Sequence, residues 1–316
     1  MRLFIQIPCL NEEETLGEVL DSIPTAVDGI DEIEVLVIDD GSSDRTVEVA
    51  RAHGVRHVVR HVRNQGLATS FAHGLDYALL HGADVIVNTD GDNQYPQAMI
   101  GELVRPILDG RAEIVVADRQ TALIAHFSPF KRLMQRFGSW VVNRAAGTRL
   151  PDAASGFRAY SRGAAIRLNV VTRFSYCMET IIQAGNKRMA ITSIPITTNP
   201  KTRESRLFRS IWQHMFQSGV AIVRSYLMYR PYVIFVSLGL LLGTVGLVPF
   251  VRYLLVLNEP YPGEHLQSLL IGVMLWTGSL LSFAIGVVAD LTRINRKLQE
   301  DALELVKLQR YGGQTG

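Results

Sequence analysis

The chain has 316 residues, 47% hydrophobic and 20% charged, which allows one large domain or a domain of ordinary size with an appendage. Its net charge of +2 names no polyanionic partner, and with no nucleic-acid motif or basic-aromatic stripe ahead of the C-terminal third, a nucleic-acid role is excluded. Cys9 and Cys177 are far apart and lack metal-ligand spacing, so a disulfide framework is not indicated and a reducing cytoplasm fits.

From the N-terminus, apolar runs at residues 3–7, 35–38, 55–59, 85–87 and 114–117 alternate with helical patterns at 12–23, 43–53, 66–81 and 96–108. That alternation predicts an α/β domain. The first run turns polar at Asn11, too early for a secretory signal. Ligands of such sheets bind beyond the carboxyl ends of the strands. Those ends read Pro8-Cys9-Leu10-Asn11-Glu12, Asp39-Asp40-Gly41-Ser42, Arg63-Asn64-Gln65-Gly66 and Asp90-Gly91-Asp92, followed by Asn93-Gln94.

Each stretch has a plain reading beside a chemical one. Asn11 and Glu14 fit a helix N-cap and its capping-box partner, and Ser43 fits a cap of the next helix. Gly66 either starts a helix or offers amides to an anion. The adjacent acids Asp39 and Asp40 would repel each other unless a donor or cation satisfies them, such as a nucleobase imide or a ribose hydroxyl. Asp90-Gly91-Asp92 is a turn, or a pair of carboxylates for a hard divalent cation shared with substrate phosphates, with the glycine leaving room for the ligand.

Near the C-terminus, residues 232–257 carry Arg252 as their only charge and residues 266–289 carry none. Each window is long enough to cross a bilayer as a helix, and the turn-rich stretch 258–265 makes them a hairpin. Arg224 and Arg230 precede the first span, and Arg293, Arg296 and Lys297 follow the second. The positive-inside rule therefore puts both termini and the N-terminal domain in the cytoplasm, on the inner membrane. Arg252 is expected to snorkel at the opposite interface. Leu207, Phe208, Ile211, Trp212, Met215 and Phe216 recur at helical spacing, predicting an interfacial amphipathic helix or one packed on the domain. Leu291, Ile294, Leu298, Leu305 and Leu308 form an apolar edge on a C-terminal helix, suited to packing between subunits of a homo-oligomer such as a tetramer. The expected division is a catalytic domain at 1–204, interfacial helix at 205–230, membrane hairpin at 231–289 and cytoplasmic tail at 290–316.

Pro8 to Glu12, Asp39 to Ser42, Asn64 to Gly66, Asp90 to Asp92 and the block Ser155-Gly156-Phe157-Arg158 together resemble family 2 glycosyltransferases of the GT-A fold. The block is similar to that of dolichyl- and polyprenyl-phosphate sugar synthases, including a bacterial branch with two C-terminal membrane helices. The resemblance implies a Rossmann-like, mostly parallel sheet and inverting transfer from a nucleotide sugar, UDP-linked by preference, to a polyprenyl phosphate. Another acceptor, glycolipid or polysaccharide, and a scaffold without catalysis remain alternatives. Pro8, Leu10, Asn11, Glu12, Asp39, Asp40, Gly66 and Asp90 would hold the nucleotide, with Leu10 replacing a frequent tyrosine. Asp90, Asp92 and Gln94 would surround Mg2+ or Mn2+. Arg119, Arg132 and Ser155 would receive the acceptor phosphate, and Arg203 and Arg206 would close over the diphosphate or face anionic headgroups. Asp152 reads as a turn residue or a catalytic acid, and Glu179 sits where the family often places an acid beneath the acceptor.

Overall fold

A computed structural model of the chain describes residues 1–120, 129–170, 176–199, 231–256 and 266–312, without the side chains of 129–135, 256 and 266. The expected interfacial segment 205–230 and the connecting turn 258–265 lie outside the described residues. Two compact units are present: residues 1–222 with 303–316, and residues 223–302.

The first unit is built on a seven-stranded sheet. Its strands are β1 (Arg2–Cys9), β2 (Glu32–Asp39), β3 (His57–Arg60), β4 (Val85–Asn88), β5 (Ile114–Asp118), β6 (Arg158–Ser161) and β7 (Ile191–Pro195), in the order β3-β2-β1-β4-β6-β5-β7. All run parallel except β6, which opposes both β4 and β5. The five sequence-predicted strands are present. β1 and β4 are central, and their apolar runs are buried as expected for a sheet covered on both faces. The helices are α1 (Leu16–Asp21), α2 (Thr46–Ala52), α3 (Leu67–Leu80), α4 (Ile100–Leu108), α5 (Pro129–Ala146), α6 (Arg162–Arg167) and α7 (Tyr176–Asn186). In α3, Ala68, Phe71, Leu75, Ala78 and Leu79 recur at helical spacing and are buried.

This topology gathers one edge. The carboxyl ends of β1, β2, β4 and β5 meet the amino end of β6, because β6 runs the other way. Register fixes the neighbours: Cys9 lies beside Asp39, Gln6 beside Asn88, and Asn88 beside Arg158. Gln6 is a buried polar residue in the central strand, and its Nε2 donates to Asn88 Oδ1 at 2.9 Å. That bond offsets the cost of burying an amide.

The second unit contains α8 (Pro231–Val256) and most of α9 (Leu266–Gly312). Small residues bring these helices close together. A Cβ on Gly246 would lie 2.7 Å from the Trp276 ring, and one on Gly239 would lie 3.0 Å from Phe283. The Ser279 and Ser282 hydroxyls donate across the pair to the carbonyls of Gly239 and Phe235, each at 2.7 Å. Such contacts suit helices in lipid, where close packing and hydrogen bonds replace hydrophobic drive. Both helices are long and apolar enough to cross a membrane, and Leu254 and Met274 are 67% and 74% exposed, which suits association with lipid.

α9 is one continuous helix of 47 residues, where the sequence suggested a span ending near 289 and a separate tail. Its leucine edge at Leu291, Leu298 and Leu305 is exposed. The last turns belong to the first unit. There the buried Tyr311 donates its hydroxyl to Asp76 Oδ1 at 2.8 Å, and its carbonyl accepts from Arg162 Nη2 at 2.8 Å. Lys307 Nζ donates to Leu168 O and Asn169 Oδ1, both at 2.9 Å.

Candidate active site

The loop after β1 is stapled to the loop after β2. Asn11 adopts φ +55°, a left-handed conformation that asparagine tolerates, and its Oδ1 accepts from the Ser43 amide at 2.8 Å. Its own amide donates to Ser42 Oγ at 2.9 Å. The capping reading of Asn11 is therefore replaced by a loop-to-loop tie: Thr15 occupies the N-cap of α1, and Arg45, not Ser43, that of α2. Pro8 is buried within β1, and Leu10 is half-buried just beyond its end. Glu12 is buried, its amide donating to Thr46 Oγ1 at 2.8 Å. The Thr15 hydroxyl lies 3.1 Å from Glu12 Oε2 and 2.7 Å from the Gly91 carbonyl, which joins this loop to the acidic one.

The two adjacent acids differ. Asp40 is satisfied by its own chain: Oδ1 is 2.7 Å from His61 Nδ1 and accepts from the Gln65 amide at 2.8 Å, while Oδ2 accepts from the Gly66 amide at 2.9 Å. It sets the start of α3, for which Gly66 at φ +95° is the N-cap. The Gly66 amide, one of those considered for an external anion, thus already has one. Asp39 is fully buried. Its Oδ1 accepts from the Ser42 amide, and its Oδ2 is 3.2 Å from Arg60 Nε without a hydrogen bond. A buried acceptor left this way can take a donor from a ligand.

Asp90-Gly91-Asp92 follows β4. Asp92 Oδ1 accepts from the Gln94 amide at 3.1 Å and Asn93 has φ +56°, so the stretch is a turn. It is also an electrostatic site, because desolvation first, then Asp92 and Glu12, push the Asp90 carboxyl up to about 7, against the opposing pull of Arg119 and Arg158. Gly91 lets the loops close-pack: a Cβ there would lie 3.1 Å from Cys9 Sγ and 3.2 Å from Glu12 Cγ. Asn199, after β7, pins the turn through its amide to Gln94 O at 2.9 Å and its Nδ2 to Asn93 O at 3.0 Å. Beneath it, Asn88 Nδ2 donates to Gly156 O at 3.0 Å and lies 2.7 Å from the Tyr176 hydroxyl, and the Gly156 amide donates to Tyr95 Oη at 3.0 Å. Gly156 has little space, since a Cβ would sit 3.3 Å from Asp90 Oδ2.

On the β5 side, Arg119 grips Asp152 with both ends of its fork, Nε to Oδ2 at 2.6 Å and Nη2 to Oδ1 at 3.0 Å. Burial raises the Asp152 carboxyl, but the Arg119 guanidinium and the Ala154 amide outweigh it and hold it below the ordinary range. Asp152 is thus an anchored anion. Ser155 is fully buried, with Oγ lacking a hydrogen-bond partner. Glu179 is buried in α7, with Gln183 Nε2 at 3.4 Å from its Oε1. Arg132 lies in α5, its side chain outside the described residues, as are Arg203 and Arg206.

Sequence reasoning missed Arg158, the last residue of the block, as a structural hub. It is fully buried and donates to the carbonyls of Ser155 (2.7 Å), Cys177 (2.8 Å) and Ala153 (2.9 Å) and to Thr180 Oγ1 (2.9 Å). It holds the segment 153–155 against α7, and an arginine heading an otherwise short strand was the available signal. Cys9 and Cys177 are free and buried, and burial pushes both thiols up, so they stay protonated. A hollow of about 330 Å³ beside Arg105, Arg111 and Thr192 gathers none of these residues.

The family model described as glycosyl transferase family 2 matches residues 4–168, just over half of the chain. A dolichol-phosphate mannosyltransferase of Pyrococcus furiosus is 29% identical over 218 residues, covering 66% of this chain and 59% of that enzyme's length. An undecaprenyl-phosphate mannosyltransferase of Micrococcus luteus is 26% identical over 211 residues, covering 62% and 83%. Among solved structures, the glucosyl-3-phosphoglycerate synthase of Mycobacterium tuberculosis, in complex with Mn2+ and UDP-glucose, superposes with a TM-score of 0.54 at 24% identity, covering 71% of this chain and 78% of that one. That likeness establishes the GT-A type of fold.

Proposed function

The chain belongs to glycosyl transferase family 2, and we propose that it moves one sugar from a nucleotide sugar, UDP-linked by preference, to a polyprenyl phosphate such as undecaprenyl phosphate, with inversion. The reaction takes place at the cytoplasmic face of the membrane into which α8 and α9 insert. The observation that carries this reading is the single rim on which an acidic loop with a charge excess lies near an arginine clamped by a buried carboxylate. The named relatives, both sugar transferases of lipid phosphates, supply the acceptor class.

The donor set fits a divalent cation. Among the described residues no group of three or more His, Cys, Asp or Glu is arranged to hold a metal. Two carboxylates, one of them with its pKa raised by burial first and then by the neighbouring acids, suit an ion that completes its sphere with phosphate oxygens and water. Asp90, Asp92 and Gln94 would hold Mg2+ or Mn2+, which when bound neutralises charge on the departing nucleoside diphosphate. The remaining work falls to the chain itself. Asp39 offers its buried Oδ2 to a base or ribose donor, while Asp40 shapes that pocket through the start of α3. Arg119, its fork oriented by Asp152, would present its Nη1 edge to the acceptor phosphate, a role that Ser155 and Arg132 would share. Arg203 and Arg206 would close over the diphosphate or face anionic headgroups.

The nucleophile is a phosphate oxygen whose second ionisation lies near pH 6, so it is largely anionic at neutral pH and needs no strong base. It forms the new bond to the anomeric carbon as the bond to the β-phosphate breaks, and the electron pair leaves with the diphosphate. Positioning and charge neutralisation therefore carry the rate. The test supplies membranes containing the protein with a panel of labelled nucleotide sugars, undecaprenyl phosphate and Mg2+ or Mn2+. Label entering the organic phase names the donor. Nucleoside diphosphate release without lipid label points to another acceptor, and tight nucleotide binding without release to a scaffold.

A further inference from the structure

The chain segments that follow β2 and β3 meet around two histidines to which the transfer reaction gives no part. Parallel pairing of these strands runs one residue past Asp39 and Arg60, since the His61 amide donates to the Asp39 carbonyl at 2.9 Å. The turn after β2 then packs directly on the chain after β3: Gly41 has φ +79°, and a Cβ there would lie 2.8 Å from the Arg63 carbonyl carbon. His61 is buried and lies between two other elements. Its Nδ1 is 2.7 Å from Asp40 Oδ1, and its Nε2 is 2.8 Å from Nδ1 of His73 in α3, with the two rings edge to face. Both oxygens of Asp40 already accept backbone amides, so the proton of the first contact sits on His61 Nδ1. In a neutral ring Nε2 is then bare and accepts from His73 Nδ1.

We propose that His61 is a positioning residue for the nucleotide part of the donor, with His73 fixing its ring from the α3 side. The inference rests on the nucleotide-sugar reading above. Asp40 holds the Gln65 amide through Oδ1 and the Gly66 amide through Oδ2, and so sets the start of α3. His61 adds a third bond, on Oδ1, that keeps the carboxylate from turning. Asp40 is buried, so water does not readily replace a lost donor, and a bond left unmade on a buried acceptor is costly. Asp39, one residue earlier, carries the open oxygen offered to a base or ribose donor, and the His61 amide holds its carbonyl. Loss of the imidazole therefore loosens the end of β2 and the first turn of α3 together. A residue that acts only through the nucleoside end binds ground state and transition state alike, so His61 governs KM for the nucleotide sugar and not kcat.

His61→Asn and His61→Leu divide bonding from packing. An asparagine amide can stand where Nδ1 stands and donate to Asp40, whereas leucine fills similar space without a donor. The full-length protein in detergent is titrated calorimetrically with UDP and with GDP in Mg2+, and transfer to undecaprenyl phosphate is followed against the concentration of the nucleotide sugar. His61→Leu should raise the Kd of the nucleotide that the wild type binds, and the KM of the matching sugar donor, by roughly tenfold, as for one lost hydrogen bond to a charged group. The kcat and the KM for the lipid phosphate should stay within about twofold. His61→Asn should bring the nucleotide Kd back to within about threefold of wild type, and His73→Phe, which removes only the outer bond, should raise it by roughly threefold. Should His61→Leu fail to fold, His61→Gln, whose amide stands at the Nε2 position, carries the same test. A His61→Leu protein that melts at a lower temperature but binds nucleotide as the wild type does overturns the proposal in favour of packing alone. A fall in kcat at unchanged donor KM overturns it too, as does a His61→Asn protein no better than His61→Leu. Wild-type protein that binds neither nucleotide overturns the nucleotide-sugar reading and this inference with it, so the two failures are distinguishable.

Discussion

Asp152→Asn separates a positioning carboxylate from a catalytic base. In the wild type, the Asp152 carboxylate is 4% exposed and the Arg119 side chain 16%. Asparagine can keep one oxygen for Arg119 Nη2 and the Ala154 amide, now 3.0 and 3.1 Å from Oδ1, but its amide would then face Arg119 Nε across the present 2.6 Å contact. One charge-assisted bond, worth about 1.5–3 kcal/mol, is lost. A fully stranded buried partner would cost about 3–5 kcal/mol, so a destabilisation of about 3 kcal/mol is expected. Since the folded carboxyl is held below its ordinary range, its contribution is complete above the unfolded pKa of about 3.9 and fades as pH falls through the lower folded value. The gap between wild type and variant, measured by denaturant unfolding in detergent, should therefore be full at neutral pH and close in strong acid. Loosening Arg119 should lower kcat/KM for the lipid phosphate by about 10²-fold while leaving measurable turnover and an unchanged pH profile. A variant of wild-type stability with no turnover and a missing acid limb in its pH profile would refute the positioning role and make Asp152 a base.

Asp92→Asn should abolish transfer with both Mg2+ and Mn2+, and turnover restored by either ion would count against shared coordination. In chelator, the Asp90 carboxyl titrates at about 7 in the folded protein and near 3.9 when unfolded, so the folded state holds the extra proton and Asp90 costs stability as pH rises from about 4 to about 7. Melting temperatures of wild type and Asp90→Asn should diverge across that window in the variant's favour, and divalent cation should restore the wild type above it; parallel curves would contradict this. Gly156→Ala puts a methyl 3.1 Å from the Tyr176 hydroxyl and 3.3 Å from Asp90 Oδ2, so titration calorimetry should find metal-dependent nucleotide binding weakened by about tenfold in a folded protein. Unchanged affinity would mean the neighbours give way freely. Tyr311→Phe removes the buried hydroxyl bound to Asp76 and should cost about 0.5–1.5 kcal/mol in unfolding free energy; no loss would mean that the end of α9 does not stay docked.

Local pattern determined much of this protein. Apolar runs closed by polar triplets marked five strands and the rim, because burial on both faces leaves a run of branched apolar side chains that only its ends interrupt. Uninterrupted apolar length likewise marked α8 and the start of α9, both long and apolar enough to cross a membrane. What depends on partners distant in the chain was decided only by the tertiary structure. β6 has four residues led by a charge, so its reversed pairing between β4 and β5 leaves no periodic trace. Asp39 and Asp40 look alike in sequence, yet the fold satisfies Asp40 with the Gln65 and Gly66 amides and leaves an oxygen of Asp39 without a hydrogen bond. Asp152 meets Arg119 across 33 positions, a pairing that the local sequence around neither residue shows. Periodicity records which faces are buried, but the partner of a buried charge is chosen by the approach of separate strands and helices, and that approach exists only once the chain has folded.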